Sequence, residues 1–390
     1  VEIAVVMTTE QVRLAEYTTL RLGGPAARFV SAASEDELIA TVRAADAEAE
    51  PVLVLGGGSN LVVADEGFPG LVVLASARGA DFATAGDAVE VTAQAGQDWD
   101  EFVQDCLGQG LSGVECLSGI PGRAGATPIQ NVNAYGQDVA DTITSVRAYD
   151  RLSDQVIVMA AADCGFGYRS SVFKRQAAAA GRGAALNPAS ATGRFVILAV
   201  TFRLPVSPLS APVRYGELSR VLGVADGDRV PLAAARAAVL ELRRGKGMVL
   251  AEADPDTRSA GSFFTNPVVS AAQYGELAVR FGTGGEPGRA GASARELDAR
   301  AGIPHWPASD GQVKMSAAWL IEHAGFSKGW RLPGDADGAR ISTKHALALT
   351  NPGLATTAGL IRLAREIQAG VRDAFGVTLT NEPVLVGVEL

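Results

Sequence analysis

The stretch PVLVLGGGSNLVV, residues 51–63, decides the fold. Pro51 to Leu55 is an apolar run that reads as a fully buried strand. Gly56, Gly57, Gly58, Ser59 and Asn60 then break it, and a second apolar run, Leu61, Val62 and Val63, resumes at once. Glycines let backbone N–H groups approach an anion such as a phosphate, and Ser59 and Asn60 can add side-chain hydrogen bonds. The run is not GxGxxG and no helix follows it, so it is not a dinucleotide fingerprint of the Rossmann kind. A tight hairpin turn and an anion site both fit.

Upstream, residues 27–30 (ARFV) read as a strand. A helix follows through Leu38, Ile39 and Val42, with Ser34 as its N-cap. Downstream, residues 71–74 (LVVL) are a further strand. Strand, helix, strand, glycine loop and strand make an α/β unit. Beyond it come a strand at 88–92, a helix at 99–107, a charge-poor stretch at 110–137 rich in Gly, Pro, Asn and Gln, and strands at 144–149, 155–160 and 195–203. Residues 176–193, rich in Ala, Gly and Ser, read as a flexible insertion. Prolines across 205–212 mark a boundary, and 232–244 is an amphipathic helix. A third region holds 259–269, a mobile-looking glycine loop at 282–291, a helix at 316–324, a strand at 346–350 and a long helix at 355–375.

The bulk numbers agree with several globular units. The chain has 390 residues, too many for one ordinary core, with 47% hydrophobic and 20% charged residues. A formal net charge of −9 argues against a broad nucleic-acid surface. Cys106, Cys116 and Cys164 match no zinc spacing and suit a reducing compartment. His305, His323 and His345 lack HxxxH or HExxH spacing, so no metal is expected. With no basic, apolar leader at the start and no bilayer-length apolar run, the expectation is a soluble, cytoplasmic protein, taken as a monomer.

Several residues suggest chemistry. Within 110–137, Gly119, Ile120, Pro121 and Gly122, then Thr127, Pro128, Gln130, Asn131 and Ala134, supply neutral donors in number. They suit a flat heteroaromatic ring system or a structural Ω-loop. In GYRSS (167–171), Arg169 is either a fork for a carboxylate or a loose surface partner of an acid. Ser262, in SAGSFFTNP (259–267), is an ordinary loop serine or a hydroxyl held near something reactive. Glu382 opens an apolar terminal strand, where a carboxylate is usually solvated.

These segments together resemble one family, the UDP-N-acetylenolpyruvoylglucosamine reductases. The matching stretches run in the family's order: YTTLRLGGPA (17–26), LGGGSNL (55–61), GIPG (119–122), PIQN (128–131) with AYG (134–136), GYR (167–169), GSFF (261–264) with NP (266–267), and AWLIE (318–322). The resemblance implies an α+β protein with the FAD-binding fold of the vanillyl-alcohol oxidase/PCMH type. Two α/β subdomains would span residues 1–75 and 76–206. A connecting segment would cover 207–249, a C-terminal α+β substrate-binding domain 250–376, and terminal strands at 377–390 would return to the active site.

The resemblance further implies non-covalent FAD, NADPH as co-substrate, and reduction of UDP-N-acetylglucosamine enolpyruvate to UDP-N-acetylmuramate. Residues 56–60 would meet the FAD pyrophosphate, and 119–122 with 128–131 would line the ring system. The catalytic positions fall on Ser262, Arg169 and Glu382. Tyr215 resembles the mobile-loop tyrosine of one subclass, and Tyr168, Lys246, Asn266 and Lys314 resemble substrate contacts. Thr265 and Val384 depart from the family's Lys and Arg, and residues 176–193 and 248–258 look like extra length. The alternatives are another FAD-dependent oxidase or dehydrogenase of the same cofactor fold, and a flavin- or nucleotide-binding protein without catalysis.

Overall fold

A computed structural model of the chain describes residues 12–179, 186–187, 189–281 and 302–390. Residues 51–63 contribute β2 (Val52–Leu55) and β3 (Leu61–Val63), preceded by β1 (Ala26–Ala32) and α1 (Glu35–Ala47) and followed by β4 (Phe68–Ala75). β1, β4 and β2 form a parallel sheet in that order. Ser34 caps α1 as its sequence requires, its hydroxyl accepting from Glu37 N at 3.2 Å. Leu38, Ile39 and Val42 of α1 then close one face of the sheet over Val30, Leu71 and Val73.

β3 leaves this sheet. It pairs in parallel with the C-terminal strand Val384–Val386, with Leu61 opposite Val384. Residues 56–60 therefore cross from one sheet to another instead of turning a hairpin, which removes the hairpin reading of the glycine loop.

The next layer contains β5 (Ala80–Ala85), β6 (Ala88–Gln94), α2 (Trp99–Gly108), β7 (Asn133–Ala134), β8 (Gln137–Asp138), β9 (Ile143–Asp150), β10 (Gln155–Ala160), α3 (Val172–Ala179) and β11 (Phe195–Pro205). Five strands form an antiparallel sheet in the order β10-β9-β11-β6-β5. α2 lies on it through Trp99 and Phe102, whose rings stand 5.9 and 5.0 Å from that of Phe202. Burial of each such aromatic contributes up to about 3 kcal/mol. β5 was not foreseen, because its side chains are mostly exposed and carry no alternation.

Helix α2 also organises the glycine-rich stretch. Asp100 accepts from Gly119 N at 2.6 Å, and Trp99 donates from its indole to Leu117 O at 3.1 Å. Gln137 accepts from Cys116 N and donates to Glu115, whose side chain is fully buried. These bonds pair part of the polar backbone, and most of the stretch is buried or half-buried, so it is an internal wall and not a surface loop.

The described end of the segment 176–193, residues 189–193, is bound to the first sheet. α3 runs through the start of the segment, and Ser190 and Thr192 accept from Val52 N and Val54 N at 3.0 and 2.6 Å. Arg151 holds the carbonyls of Thr192 and Gly193. This segment thus covers the free edge of β2, a common way of protecting an open strand. Positions 180–185 and 188, and the expected loop at 282–291, lie outside the described residues.

The remaining elements are α4 (Gly216–Leu222), α5 (Leu232–Gly245), β12 (Ser259–Ser262), β13 (Val268–Val269), α6 (Ala271–Phe281), β14 (His305–Pro307), β15 (Val313–Met315), α7 (Ala317–His323), β16 (Arg340–Ile341), β17 (Ala348–Thr350), α8 (Thr357–Phe375) and β18 (Val384–Val386). The small sheets β12-β17-β16 and β13-β15-β14 pack with α7 and α8 around one core, which also takes Val62 from β3. The Asp65 carboxylate accepts from Thr357 N and Ala358 N at the start of α8, joining this core to the first unit. Among the described residues no helix is long and apolar enough to cross a membrane. All three cysteines are buried and free.

Candidate active site

Ser262 ends β12. Gly261 before it adopts φ +73, a left-handed conformation that glycine takes without a Cβ penalty. Phe263 and Phe264 after it are each 1% exposed and meet edge to face at 5.1 Å. Phe263 N donates to Leu347 O at 2.7 Å, and Phe263 O accepts from Glu382 N at 2.8 Å. The serine is therefore held between a permissive residue and two anchored rings.

The backbone bond from Glu382 N brings the C-terminal segment to Ser262. The Glu382 carbonyl accepts from Gln130 Nε2 at 3.2 Å, and Val384 N donates to Asn60 O at 2.9 Å. Three remote segments thus fix Glu382. Its side chain is only 13% exposed, so the expectation of a solvated strand end fails. Burial raises the carboxyl pKa, opposed by the positive charges of Arg169 and Lys174.

Arg169 sits in a turn closed by two backbone bonds between Gly167 and Ser170, with φ +50. Asn131 donates from Nδ2 to Gly167 O at 3.1 Å and positions that turn. Arg169 Nε approaches Glu382 Oε1 at 3.0 Å.

One cavity of about 310 Å³ contains all three side chains in its wall, together with Gly56, Gly57, Gly58, Ser59 and Asn60, residues 120–123, Thr127 and Gln130. Gly119, Pro128, Asn131 and Ala134 stand outside the lining. Gly119, at φ +71, instead lets α5 approach, since a Cβ there would lie 2.7 Å from Leu240 Cδ2. Asn131 instead bonds the Arg169 turn through Gly167 O.

The glycine loop suits a diphosphate group. A Cβ on Gly57 would lie 2.6 Å from Gly122 Cα, and one on Gly58 would lie 1.9 Å from Tyr17 O, so neither position admits a side chain. Among the described residues, the N–H groups of Gly57, Gly58, Ser59 and Asn60 donate to no protein acceptor. A row of free amides beside a cavity is a site for anionic oxygens.

The expected substrate residues flank the cavity without lining it. Lys246 pairs with Glu217 at 2.5 Å and lies 5.6 Å from the Tyr135 ring, against which Tyr215 packs edge-on at 5.2 Å. Lys314 Nζ stands 4.5 Å from the Tyr168 ring. Asn266 Oδ1 accepts from Ala317 N at 2.9 Å, at the start of α7. Thr265 donates its hydroxyl to Thr380 O, and Val384 lies in the cavity wall.

Sequence reasoning missed Arg243, Met248, Leu250 and Thr257, which also line the cavity. Residues 248–258 are therefore partly wall, not merely extra length. Arg243 donates to Met248 O at 2.8 Å, while its buried Nε has no acceptor among the described residues. Burial lowers its pKa. An under-satisfied cation in a cavity wall favours an anionic ligand. Only the basic end of α5 signalled it in the sequence.

Comparison with known proteins agrees with this geometry. An FAD binding domain is matched by residues 26–158. Fold and site define a flavoprotein of the FAD-binding class built on a parallel α/β unit and an antiparallel sheet. Residues 254–386 match the C-terminal domain of UDP-N-acetylenolpyruvoylglucosamine reductase. Proteins of that name from Thermobifida fusca and Salinispora arenicola are each 54% identical to the chain. They align over 388 and 379 residues, covering 98% and 97% of this chain and 100% and 95% of theirs. The chain belongs to the UDP-N-acetylenolpyruvoylglucosamine reductase family. The reductase structure from Thermus caldophilus shares the fold, with a TM-score of 0.59 at 24% identity, covering 97% of this chain and 99% of that one.

Proposed function

We propose that the protein is an NADPH-dependent UDP-N-acetylmuramate dehydrogenase. It reduces the enolpyruvyl group of UDP-N-acetylglucosamine enolpyruvate to the lactyl ether of UDP-N-acetylmuramate, a peptidoglycan precursor. The observation that carries this reading is the meeting of Ser262, Arg169 and Glu382, from three distant segments, in the cavity of the glycine loop.

FAD, which residues 56–60 and 120–122 would hold, would supply the hydride chemistry, with NADPH as its source. The chain's own residues handle the charge and the proton. Arg169 faces the negative charge that develops beside the substrate carboxylate, in a site where burial strengthens the attraction. Glu382, with its raised pKa, is suited to hydrogen-bond the enol form as a neutral acid. Ser262 Oγ delivers the proton to the carbanionic carbon; serine is a weak acid, but a carbanion is a strong base and position governs the step.

Cations gather on the substrate side. The His345 imidazole is held down at about 3 by burial and by the positive charges of Lys246, Lys328 and Arg243. Such a cluster suits the diphosphate of a UDP-sugar. Tyr215 closes over that sugar, as in the tyrosine-loop subclass, while Tyr168, Asn266 and Lys314 orient it. In this reading residues 1–75 and 76–206 hold the cofactor and 250–376 the sugar. The enzyme works as a monomer in the cytoplasm, a compartment that suits its three free thiols.

An anaerobic absorption spectrum tests the proposal. The flavin band is expected to bleach with NADPH and to return on addition of the enolpyruvyl UDP-sugar. A reduced flavin that recovers with oxygen but ignores the sugar would instead indicate an oxidase.

A further inference from the structure

Lys174 has no part in the chemistry described so far. It lies in the first turn of α3, half-buried, and its ammonium donates to the carbonyl oxygen of Arg169 at 3.2 Å. The root of that helix is fixed to the cavity wall. Ser171 Oγ accepts from Lys174 N at 3.2 Å and donates to Ile129 O at 2.6 Å.

The carbonyl it holds belongs to a strained residue. Arg169, at φ +50, occupies the left-handed region, which disfavours a residue with a Cβ by about 1–2 kcal/mol. Such a conformation persists only when its surroundings over-determine it. Gly167 and Ser170 close the turn, and Asn131 holds the Gly167 carbonyl. Among the described residues, Lys174 is the side chain that grips the Arg169 carbonyl itself.

The same ammonium acts on Glu382. The titratable groups facing that carboxyl are Arg169 and Tyr168 from the turn and Lys174 from α3. Asn60 and Gln130 reach only its backbone carbonyl, as neutral donors. Both cations favour the ionised carboxyl against the burial that disfavours it.

We propose that Lys174 is a positioning residue for the reduction: it locks Arg169 through its carbonyl and brings a second positive charge to the Arg169–Glu382 contact. The inference rests on the functional reading above.

The test uses the full-length, FAD-loaded protein and three substitutions. Lys174→Gln keeps a donor but removes the charge, Lys174→Met removes both, and Lys174→Arg keeps both. Reoxidation of the NADPH-reduced flavin by the enolpyruvyl UDP-sugar is followed in single-turnover mixing across pH. Lys174→Gln is expected to slow this step by about tenfold and Lys174→Met by about 10²-fold. In Lys174→Gln the pH limb moves to higher pH, because losing a cation favours the neutral carboxyl. Lys174→Arg returns rate and limb toward wild type, and flavin reduction by NADPH stays within about twofold in all three.

A limb in Lys174→Gln at the wild-type pH would overturn the proposal, as would an Arg variant no better than Met. If Lys174→Met fails to fold, the Gln and Arg variants still decide. A wild-type protein whose reduced flavin ignores the sugar removes the functional reading. Wild-type turnover with an unshifted limb in Lys174→Gln removes only the role of Lys174.

Discussion

Arg169 Nε stands 3.0 Å from Glu382 Oε1, yet among the described residues that buried nitrogen makes no directed hydrogen bond. The guanidinium and the carboxyl are in contact while part of the guanidinium's donor capacity stays unused. A buried pair in this state lacks the full hydrogen bonding that usually offsets desolvation. It is complete only when a third group, such as a ligand carboxylate, takes the free donors.

This relationship makes Arg169 sensitive to geometry as well as charge. Arg169→Lys replaces a planar fork by a point charge, and kcat/KM for the sugar is expected to fall by ~10²-fold or more. Steady-state kinetics on protein with an unchanged flavin spectrum checks this. Normal turnover in that variant would remove Arg169 from the site.

Ser262→Ala separates the two half-reactions. NADPH should still bleach the flavin at the wild-type rate, whereas reoxidation by the sugar should slow by ~10²-fold or more through loss of the proton donor. Single-turnover mixing measures both, and an unchanged reoxidation rate rules out Ser262 as that donor.

Glu382 links function to stability. Its pKa is raised in the folded protein, chiefly by burial, so the folded state binds the proton more tightly than the unfolded chain. Stability from this group is intact below the unfolded value of 4.5 and falls as pH rises toward the folded one. Glu382→Gln cannot ionise, so it should raise Tm at neutral pH and lose that advantage under acid conditions, while impairing turnover. A Tm difference independent of pH contradicts the burial argument.

The glycine loop predicts an asymmetry between neighbours. Gly58→Ala places a methyl group 1.9 Å from Tyr17 O at φ +58 and should cost about 1–3 kcal/mol with loss of bound FAD. Gly56→Ala meets nothing nearer than 3.7 Å and should leave both nearly unchanged. Thermal melts and flavin content distinguish the two, and equal effects would disprove the close approach.

Much of this architecture was legible locally. The Ser34 cap and the apolar spacing of Leu38, Ile39 and Val42 define α1, and Gly261 with Phe263 and Phe264 marks an anchored loop. Arg243, Met248 and Leu250 were not legible, because a helix end and a turn carry no motif and gain meaning only beside a cavity. The role of residues 189–193 was hidden too, since bonds from Ser190 and Thr192 to β2 leave no periodic trace.

The sequence by itself determined the longer strands and helices, such as α1, α2, α5, α8, β9 and β11, and which short motifs carry donors, acids and a hydroxyl. Those properties depend on periodicities of two and 3.6 residues and on capping over a few positions. Only the tertiary structure decided that β3 leaves the first sheet for β18. That pairing sets Asn60 beside Glu382, separated by 322 residues in the chain. A strand's choice among distant partners depends on burial and backbone pairing across the whole fold, which no local pattern records. From that choice the cavity, the buried carboxyl and its contact with Arg169 all follow.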